Sequence, residues 1–361
     1  MRTVDETDRA AGAVRSRLAA LARDQARSFD LLGSPFYRDL YAPVADDIEA
    51  GGPSLELLAP LVDEPFGRTL GMRLLGGVHR LVLEGEVPEL AAHYPSVGGD
   101  GDAEAAWPVF RELLETRPEQ LAGYLRRAPQ TNEVGRCAAL TAGFLRIAAS
   151  TGRPLRLLEL GASGGLNLRF DRYWYSDGEL GFGDERSPVR FVDLYDGAIP
   201  DFGADCRVTE RRGCDPHPVD PTTEDGRLTL LSYVWPDQHQ RFELLRHALD
   251  VAGDFPVTVD EAGASEWLEQ RLAEWRDGTT TVVFHSVVWG YLAEREQARV
   301  WELLDAAGMR ATADSPLAWL RLEPTAYTEH AELWCTTWPG NDERMLATSG
   351  FHLGRVNWLV H

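Results

Sequence analysis

The sequence of 361 residues predicts an α/β fold: a doubly wound, mostly parallel sheet that ends in an antiparallel hairpin, preceded by an all-helical N-terminal half. Apolar stripes with the 3.6-residue helical period fill residues 1 to about 150, and Pro and Gly separate them. Short, nearly continuous apolar runs then alternate with helical stretches, a pattern typical of buried parallel strands with covering helices. We therefore expect a helical domain over residues 1–130 and an α/β domain over residues 131–361.

The N-terminal half carries a series of helical patterns. Residues 15–32 place apolar side chains on one stripe with arginines opposite, as in a surface helix that packs on one side. Thr131 or Asn132 is positioned as the N-cap of the last helix of the series, and Gly152 and Pro154 end it. The remaining helical patterns cover residues 54–61, 68–83, 103–115, 118–127 and 133–150.

The first strand is predicted over residues 154–160, an apolar run that stops at a glycine cluster. Residues 171–203 are interpreted as an insertion after this strand. The apolar runs 331–338 and 344–359 flank a Pro-Gly-Asn-Asp-Glu turn, which predicts an antiparallel hairpin. The other strand patterns cover residues 189–194, 207–212, 280–285 and 317–322, and helical patterns cover 238–251, 266–276 and 294–307.

The charged residues exclude several kinds of protein. The chain has 57 acidic and 36 basic side chains, a formal net charge of −21, and every basic one is arginine. A chain without lysine cannot contain a P-loop, a kinase lysine or a Schiff-base lysine. The excess of acidic over basic side chains disfavours nucleic acid and anionic membranes as partners. The N-terminus lacks the apolar segment of a secretion signal, so we expect a cytoplasmic protein. The four cysteines form no CxxC and the histidines lack zinc-site spacing, so we expect reduced thiols and no metal.

The segment ELGASGG (residues 159–165) combines a strand end, a tight turn and the start of a helix, which predicts a ligand at the carboxyl edge of the sheet. A dinucleotide site is disfavoured because Ser163 and Leu166 occupy the second and third glycine positions of G-x-G-x-x-G. As G-x-S-x-G, the segment offers Ser163 as a hydrolase nucleophile, with Asp260 and His285 in an order that permits a triad. With its acid two residues before the first glycine, it resembles the first motif of the class I S-adenosylmethionine-dependent methyltransferases.

Six segments, one of which contains ELGASGG, carry a second resemblance over nearly the whole chain. They are HYPSVGG (93–99), PQTNEVGRCAAL (129–140), LLELGASGGLNLRFDRYWY (157–175), RRGCDPHPVDP (211–221), WPDQHQR (235–241) and VVFHSVVWGYL (282–292). Together they resemble the bacterial domain-of-unknown-function family numbered 2332. This resemblance implies a sheet of methyltransferase type behind the helical half, and it implies the fold more specifically than the reaction.

The resemblance to methyltransferases implies S-adenosylmethionine as the cofactor. The acid and the turn after the first strand would hold its methionine and sugar parts, and Asp215, at the predicted end of a following strand, would bind the ribose hydroxyls. The sequence departs from the pattern at Gly263, where the family has an acid for the adenine amino group, and Asp260 or Glu261 would need a shifted loop to replace it. The predicted cofactor-binding residues are Glu159, Gly161, Ala162, Ser163, Gly164, Gly165, Asn167 and Asp215.

Candidate residues for the substrate come from two elements that end at the same edge of the sheet. His285 ends the strand pattern over 280–285, and an imidazole, which titrates near neutral pH, suits a general base. The short connection at residues 151–154 makes the helix over 133–150 antiparallel to the first strand, so its N-terminus reaches the carboxyl edge. The predicted catalytic residues are His285 and Glu133, and the predicted substrate-binding residues are Gln130, Thr131, Asn132, Ser286 and Tyr291.

Four kinds of function remain open. The first is an enzyme that transfers a methyl group from S-adenosylmethionine to a small molecule. The second is an enzyme of the same fold without the methyl donor, in which His285 and Glu133 abstract a proton for an elimination or a ring closure. The third is a non-catalytic binding subunit, in a homodimer or with a partner enzyme, and the fourth is a serine hydrolase that uses Ser163.

Overall fold

The computed structural model describes residues 4–63, 69–325, 330–352 and 354–360. Contacts between residues divide the chain into two compact units. The helical unit comprises Met1–Thr131 and Leu228–Glu243, and the α/β unit comprises Asn132–Arg227 and Leu244–His361. Residues 228–243, which the sequence pattern includes in the α/β domain, therefore group with the helices.

The predicted helical N-terminal half is confirmed. Residue 68, where one of the predicted helices starts, lies outside the described residues. The sequence pattern does not predict the second helix, which begins at Pro35 and is capped by Ser34, whose hydroxyl accepts a hydrogen bond from the amide of Tyr37. The described helices of this half are α1 (Val4–Leu31), α2 (Pro35–Ala50), α3 (Pro53–Leu58), α4 (Leu70–Leu83), α5 (Pro88–Ala91), α6 (Ala103–Thr116) and α7 (Pro118–Leu125), with 3-10 turns at Ala59–Leu61 and Pro95–Val97.

The apolar stripe predicted on α1 lies in the core of the helical unit. Phe29 of this stripe is buried, and its ring meets Tyr41 of α2 edge-on, with centroids 5.8 Å apart. The buried His79 of α4 is paired at both ring nitrogens, Nδ1 with the carbonyl of Ser232 (3.1 Å) and Nε2 with the hydroxyl of Ser96 (2.7 Å). The bond to Ser232 is one of the contacts that join residues 228–243 to the helices.

The predicted sheet, mostly parallel with a C-terminal antiparallel hairpin, is confirmed. Its described strands are β1 (Leu155–Leu160), β2 (Trp174–Ser176), β3 (Gly181–Gly183), β4 (Arg190–Val192), β5 (Tyr195–Gly197), β6 (Val208–Asp215), β7 (Thr258–Glu261), β8 (Thr280–Ser286), β9 (Leu317–Pro324), β10 (His330–Trp338), β11 (Asp342–Gly350) and β12 (Val356–Trp358). Nine of these described strands form one sheet in the order β5-β12-β11-β10-β9-β8-β1-β6-β7. The run from β9 to β7 is parallel, whereas β9, β10, β11 and β12 pair antiparallel in succession.

The predicted insertion after β1 contains two separate pieces. The strands β2, β3 and β4 form a small sheet of their own, in which β2 pairs antiparallel with β3 and parallel with β4. The strand β5 joins the far edge of the large sheet, parallel to β12. The insertion therefore supplies both a small sheet and an edge strand.

Helices cover both faces of the large sheet. The helices after α7 are α8 (Cys137–Thr151), α9 (Glu224–Ser232), α10 (His239–Asp254), α11 (Ala264–Ala273) and α12 (Glu294–Gly308), with 3-10 turns at Val134–Arg136, Asn167–Arg172 and Trp289–Tyr291. On one face, Phe144 of α8 meets Phe284 of β8, with ring centroids 5.0 Å apart. On the other face, Val283 of β8 packs in a core with Trp267 of α11 and Val300 of α12. None of the helices in the described ranges has both the length and the apolar character needed to cross a membrane.

Candidate functional site

The candidate site lies at the carboxyl edge of the parallel strands. In the order β7-β6-β1-β8-β9, the strand order reverses between β1 and β8. Open α/β sheets bind their ligands in the crevice outside the carboxyl ends of the strands at such a point. Two segments border this point: residues 161–166 after β1, termed the glycine turn, and residues 287–291 after β8, termed the β8 loop.

Two glycines and a serine give the glycine turn its shape. Gly161, Ser163 and Gly165 have φ angles of 68°, 52° and 65°, all in the left-handed region that glycine adopts without strain. A Cβ atom on Gly161 would lie 2.5 Å from Cγ2 of Val288 in the β8 loop. The glycine turn and the β8 loop therefore touch at the point where the strand order reverses.

Side chains from other elements hold the glycine turn in place. Asp215, which ends β6 as predicted, accepts hydrogen bonds from the amides of Ser163 (3.0 Å) and His217 (2.9 Å). Asn132 accepts from two further amides of the turn (3.1 and 3.0 Å), and the buried Arg169 donates to two of its carbonyls (3.2 and 2.8 Å). Three amides of the turn are thus already bonded to protein side chains, and a ligand would contact the turn through its other groups.

The role of Asn132 differs from the predicted N-cap. The helix begins as the 3-10 turn Val134–Arg136, which continues into α8, and Glu133 is its N-cap: Oε1 of Glu133 accepts from the amide of Gly135 (3.1 Å). The side-chain oxygen of Asn132 is instead bonded to the glycine turn. The N-terminus of this helix does reach the carboxyl edge of the sheet, as the short connection to β1 predicts.

Glu159 is a buried acid on the α8 face of the sheet. Its Oε1 accepts from Nδ2 of Asn167 (3.4 Å), whose own oxygen accepts from the thiol of Cys137 (3.1 Å). Its Oε2 is buried and has no hydrogen-bond partner within the described part of the chain. Burial raises the pKa of Glu159 well above its ordinary value, and the charge of Asp215 raises it further. An unpaired buried polar atom costs about 1–3 kcal/mol, so a ligand atom that paired with Oε2 would be stabilising.

His285 projects from the opposite face of the sheet. Successive side chains of a strand alternate, and Phe284 faces α8 whereas Val283 and His285 face α11 and α12. Nδ1 of His285 lies 2.6 Å from Oε1 of Glu323 on β9, and Nε2 is buried without a hydrogen-bond partner among the described residues. The imidazole also stacks on Trp289 of the β8 loop, with centroids 5.3 Å apart. Sequence reasoning missed Glu323, which carries the closest contact of the predicted base.

Two other predicted substrate residues lie at the end of β8. The carbonyl of Ser286 accepts a hydrogen bond from Arg136 (3.0 Å), which joins the start of α8 to the end of β8. Tyr291 ends the β8 loop and is 48% exposed, so it is accessible to a ligand. Gln130 and Thr131 belong to the helical unit. All of the predicted catalytic, cofactor-binding and substrate-binding roles, including those of Gln130, Thr131, Glu133 and Tyr291, stay predictions.

The predicted hydrolase triad is not assembled. Both oxygens of Asp260 bind the guanidinium of Arg212 (2.6 and 2.7 Å), and one also accepts from a tryptophan indole of α11 (2.6 Å). The acid on His285 is Glu323 instead. Because Nε2 of His285 has no partner within the described ranges, the hydroxyl of Ser163 does not bond to it. The described residues also contain no group of three or more His, Cys, Asp or Glu side chains that could hold a metal ion.

Comparison with known proteins identifies a bacterial family. A family model described as an uncharacterized protein conserved in bacteria (DUF2332) matches residues 19–358. No curated protein and no solved structure matches the chain. The match includes residues of both the helical unit and the α/β unit.

Proposed function

We propose that this chain, which belongs to the DUF2332 family of bacterial proteins, is an enzyme that binds S-adenosylmethionine at the candidate site and modifies a small molecule. The observation that carries the proposal is the buried, unpaired carboxyl oxygen of Glu159, two residues before Gly161. This carboxyl would bind the ammonium group of the methionine part. When bound, the cofactor would supply a methyl group on a positively charged sulfur.

The position of Glu159 in the sheet supports the proposal. Counted from β1 as the first strand, the order β7-β6-β1-β8-β9 is the 3-2-1-4-5 order of a doubly wound sheet, which binds nucleotide-like ligands where the order reverses. Glu159 lies in β1, one of the two strands at this point. The sheet departs from the usual order beyond β9, where the antiparallel strand β10 follows.

Asp215 supports a nucleoside at the same edge. The register of β1 and β6 pairs Glu159 with Gly213, so Asp215 lies two residues farther toward the carboxyl edge. Among the bonds described for this part of the chain, each oxygen of Asp215 accepts one from a backbone amide. A carboxylate oxygen has two lone-pair sites, so each oxygen keeps one for a ribose hydroxyl.

One acidic side chain of the protein remains to bind the adenine end of the ligand. Gly263 is the N-cap of α11 and has no side chain to offer. Because both oxygens of Asp260 bind Arg212, Glu261 at the end of β7 is the exposed acid that can accept a hydrogen bond from the adenine amino group. Val288 occupies the β8 side of the glycine turn. We therefore expect the nucleoside on the β6 side, between the glycine turn and β7.

A second candidate function needs no methyl donor. The buried Nε2 of His285, without a partner among the described residues, favours an enzyme that abstracts a proton for an elimination or a ring closure. The predicted partner of His285 in this function is Glu133, and that pairing stays a prediction. A protein of this kind would turn over its substrate in the absence of S-adenosylmethionine.

Isothermal titration calorimetry with S-adenosylmethionine and with S-adenosylhomocysteine tests the first proposal. We expect the wild type to bind both, since both carry the ammonium group. The Glu159→Gln variant keeps the shape of the side chain but cannot release a proton and become the anion that pairs with the ammonium group, so its affinity should fall by about 1.5–3 kcal/mol, or roughly tenfold to 150-fold. The exposed Glu179→Gln is the matched control and should bind as the wild type does. No heat of binding at about millimolar ligand, or equal affinity of Glu159→Gln, would refute the proposal.

A further inference from the structure

We propose that His285 and Glu323 form a general-base dyad, in which Nε2 of His285 accepts a proton from a bound small molecule and Glu323 is the positioning residue. The dyad goes beyond the cofactor site, because His285 projects from the face of the sheet opposite to Glu159 and proton transfer requires no methyl donor. It also differs from the predicted pair of His285 and Glu133, since the structure supplies the acid from β9.

Glu323 fixes the imidazole through a single oxygen. Its Oε1 accepts from Nδ1 of His285 (2.6 Å) and from the backbone amides of Val288 (2.9 Å) and Trp289 (3.2 Å). The two amides hold the carboxylate in one position, and the carboxylate holds the ring. Because a carboxylate can only accept, the neutral ring carries its proton on Nδ1, and Nε2 is an unprotonated acceptor.

The unpaired Nε2 distinguishes His285 from a histidine with a purely structural role. The chain contains an internal comparison, His79 of the helical unit, which is equally buried and pairs with the carbonyl of Ser232 and the hydroxyl of Ser96. His285 has its Nδ1 paired in the same way, but Nε2 is buried with no partner among the described residues. Buried polar atoms are usually paired, so the unpaired Nε2 is open to a polar group of a bound molecule.

The surroundings of His285 favour a small, partly apolar substrate. The imidazole packs against the rings of Trp289 (5.3 Å) and Trp319 (5.8 Å), which also contact each other (5.6 Å). Val287, which begins the β8 loop, has a φ of 54°, a strained value for a β-branched residue. The same Glu323 oxygen that positions the imidazole bonds to the loop that carries Trp289. The base and its aromatic cover are therefore held by one carboxylate.

The proton transfer is balanced without any other reactant. A hydroxyl, an amine or a carbon acid beside a carbonyl group gives its proton to Nε2, and the electron pair of the broken bond stays on the substrate atom. His285 becomes an imidazolium that donates from both nitrogens. Its positive charge lies 2.6 Å from the Glu323 carboxylate, which stabilises it.

Nitrogen-15 NMR of protein labelled at histidine tests the tautomer. The chain has 9 histidines, and the signals that disappear in His285→Asn belong to His285. In the neutral imidazole we expect a proton on Nδ1 and none on Nε2. Glu323→Gln should keep this pattern, because its carbonyl oxygen still accepts from Nδ1, whereas Glu323→Leu should lose it. A proton on Nε2 and none on Nδ1 in the wild type overturns the proposal.

Acylation by diethyl pyrocarbonate, which attacks unprotonated imidazole nitrogens, tests whether Nε2 is free to accept a proton. Peptide mass mapping compares His285 with His79 in the same sample. We expect His285 to react several-fold faster, because His79 must first give up its bond to Ser96, and Glu323→Leu should slow the reaction of His285. A wild-type His285 that reacts no faster than His79 overturns the proposal, whether or not Glu323→Leu folds. Neither test contains a methyl donor, so their failure is distinct from a failure of cofactor binding.

Discussion

The buried carboxyl of Glu159 should make the stability of the α/β unit fall with rising pH. Burial raises the pKa of Glu159 above its ordinary value of 4.5. Above pH 4.5 the unfolded chain therefore releases this proton while the folded protein still holds it, and the free energy of unfolding decreases by about 1.4 kcal/mol for each pH unit up to the raised pKa. Glu159→Gln has no proton to release and should lack this loss.

Urea denaturation at about pH 5, 6 and 7 measures the effect. Tryptophan fluorescence reports mainly on the α/β unit, because all tryptophans except Trp107 and Trp235 belong to it. Relative to the wild type, Glu159→Gln should become progressively more stable as the pH rises, whereas the exposed Glu179→Gln should follow the wild type. Parallel curves for Glu159→Gln and the wild type would mean that the buried carboxyl is already ionised in the folded protein, and the reasoning would be wrong.

Three further outcomes concern the same edge of the sheet. Asn132→Ala removes the acceptor of two buried amides and should lower the free energy of unfolding by about 2–4 kcal/mol, whereas Asn132→Asp keeps an acceptor and should lower it less. Urea denaturation that gives equal, small losses of stability for the two variants would contradict this. Gly161→Ala adds left-handed backbone strain of about 1–2 kcal/mol and a clash with Val288. Gly152→Ala adds the strain alone, because nothing lies within 4 Å of its Cβ, so it should lose less stability. Equal losses for the two variants would argue against the close contact of Gly161 with Val288. Binding of S-adenosylmethionine near neutral pH should release a proton from Glu159. Calorimetric titrations in several buffers should then give binding heats that depend on the ionisation enthalpy of the buffer. The same dependence in Glu159→Gln would assign the proton to another group.

The elements that leave a local pattern could be predicted from the sequence. A buried parallel strand is a continuous apolar run, and a tight turn leaves its glycines, so β1 and the glycine turn were both accessible to sequence reasoning. Counting strands was enough to identify Asp215 as the end of β6. The helix α2 was missed because Pro43 lies inside it and obscures the helical pattern.

The side-chain pairings of the site could not be predicted in the same way. Asn132 stands before a helical pattern, where capping is the ordinary role, and its actual partners lie 32 and 34 residues farther along the chain. Glu323 lies 38 residues after His285, with a helix between them. Both pairings arise only when distant elements pack, and no periodicity in the sequence records them. The assignment of His285 and Glu159 to opposite faces likewise required knowing which helices cover which face.

The strand β5 gives the large sheet an edge that depends on distant parts of the chain. Arg355, beside β12, donates to the carbonyl of Tyr195 in β5 across 160 residues, and it binds the carboxylate of Asp196 (2.6 and 2.5 Å). During translation β5 emerges long before β12, its only neighbour among the described strands. Pairings between such distant segments form slowly, and an unpaired edge strand recruits strands of other chains. Between the synthesis of β5 and the docking of β12, the nascent protein is therefore exposed to pairing of β5 with strands of other chains.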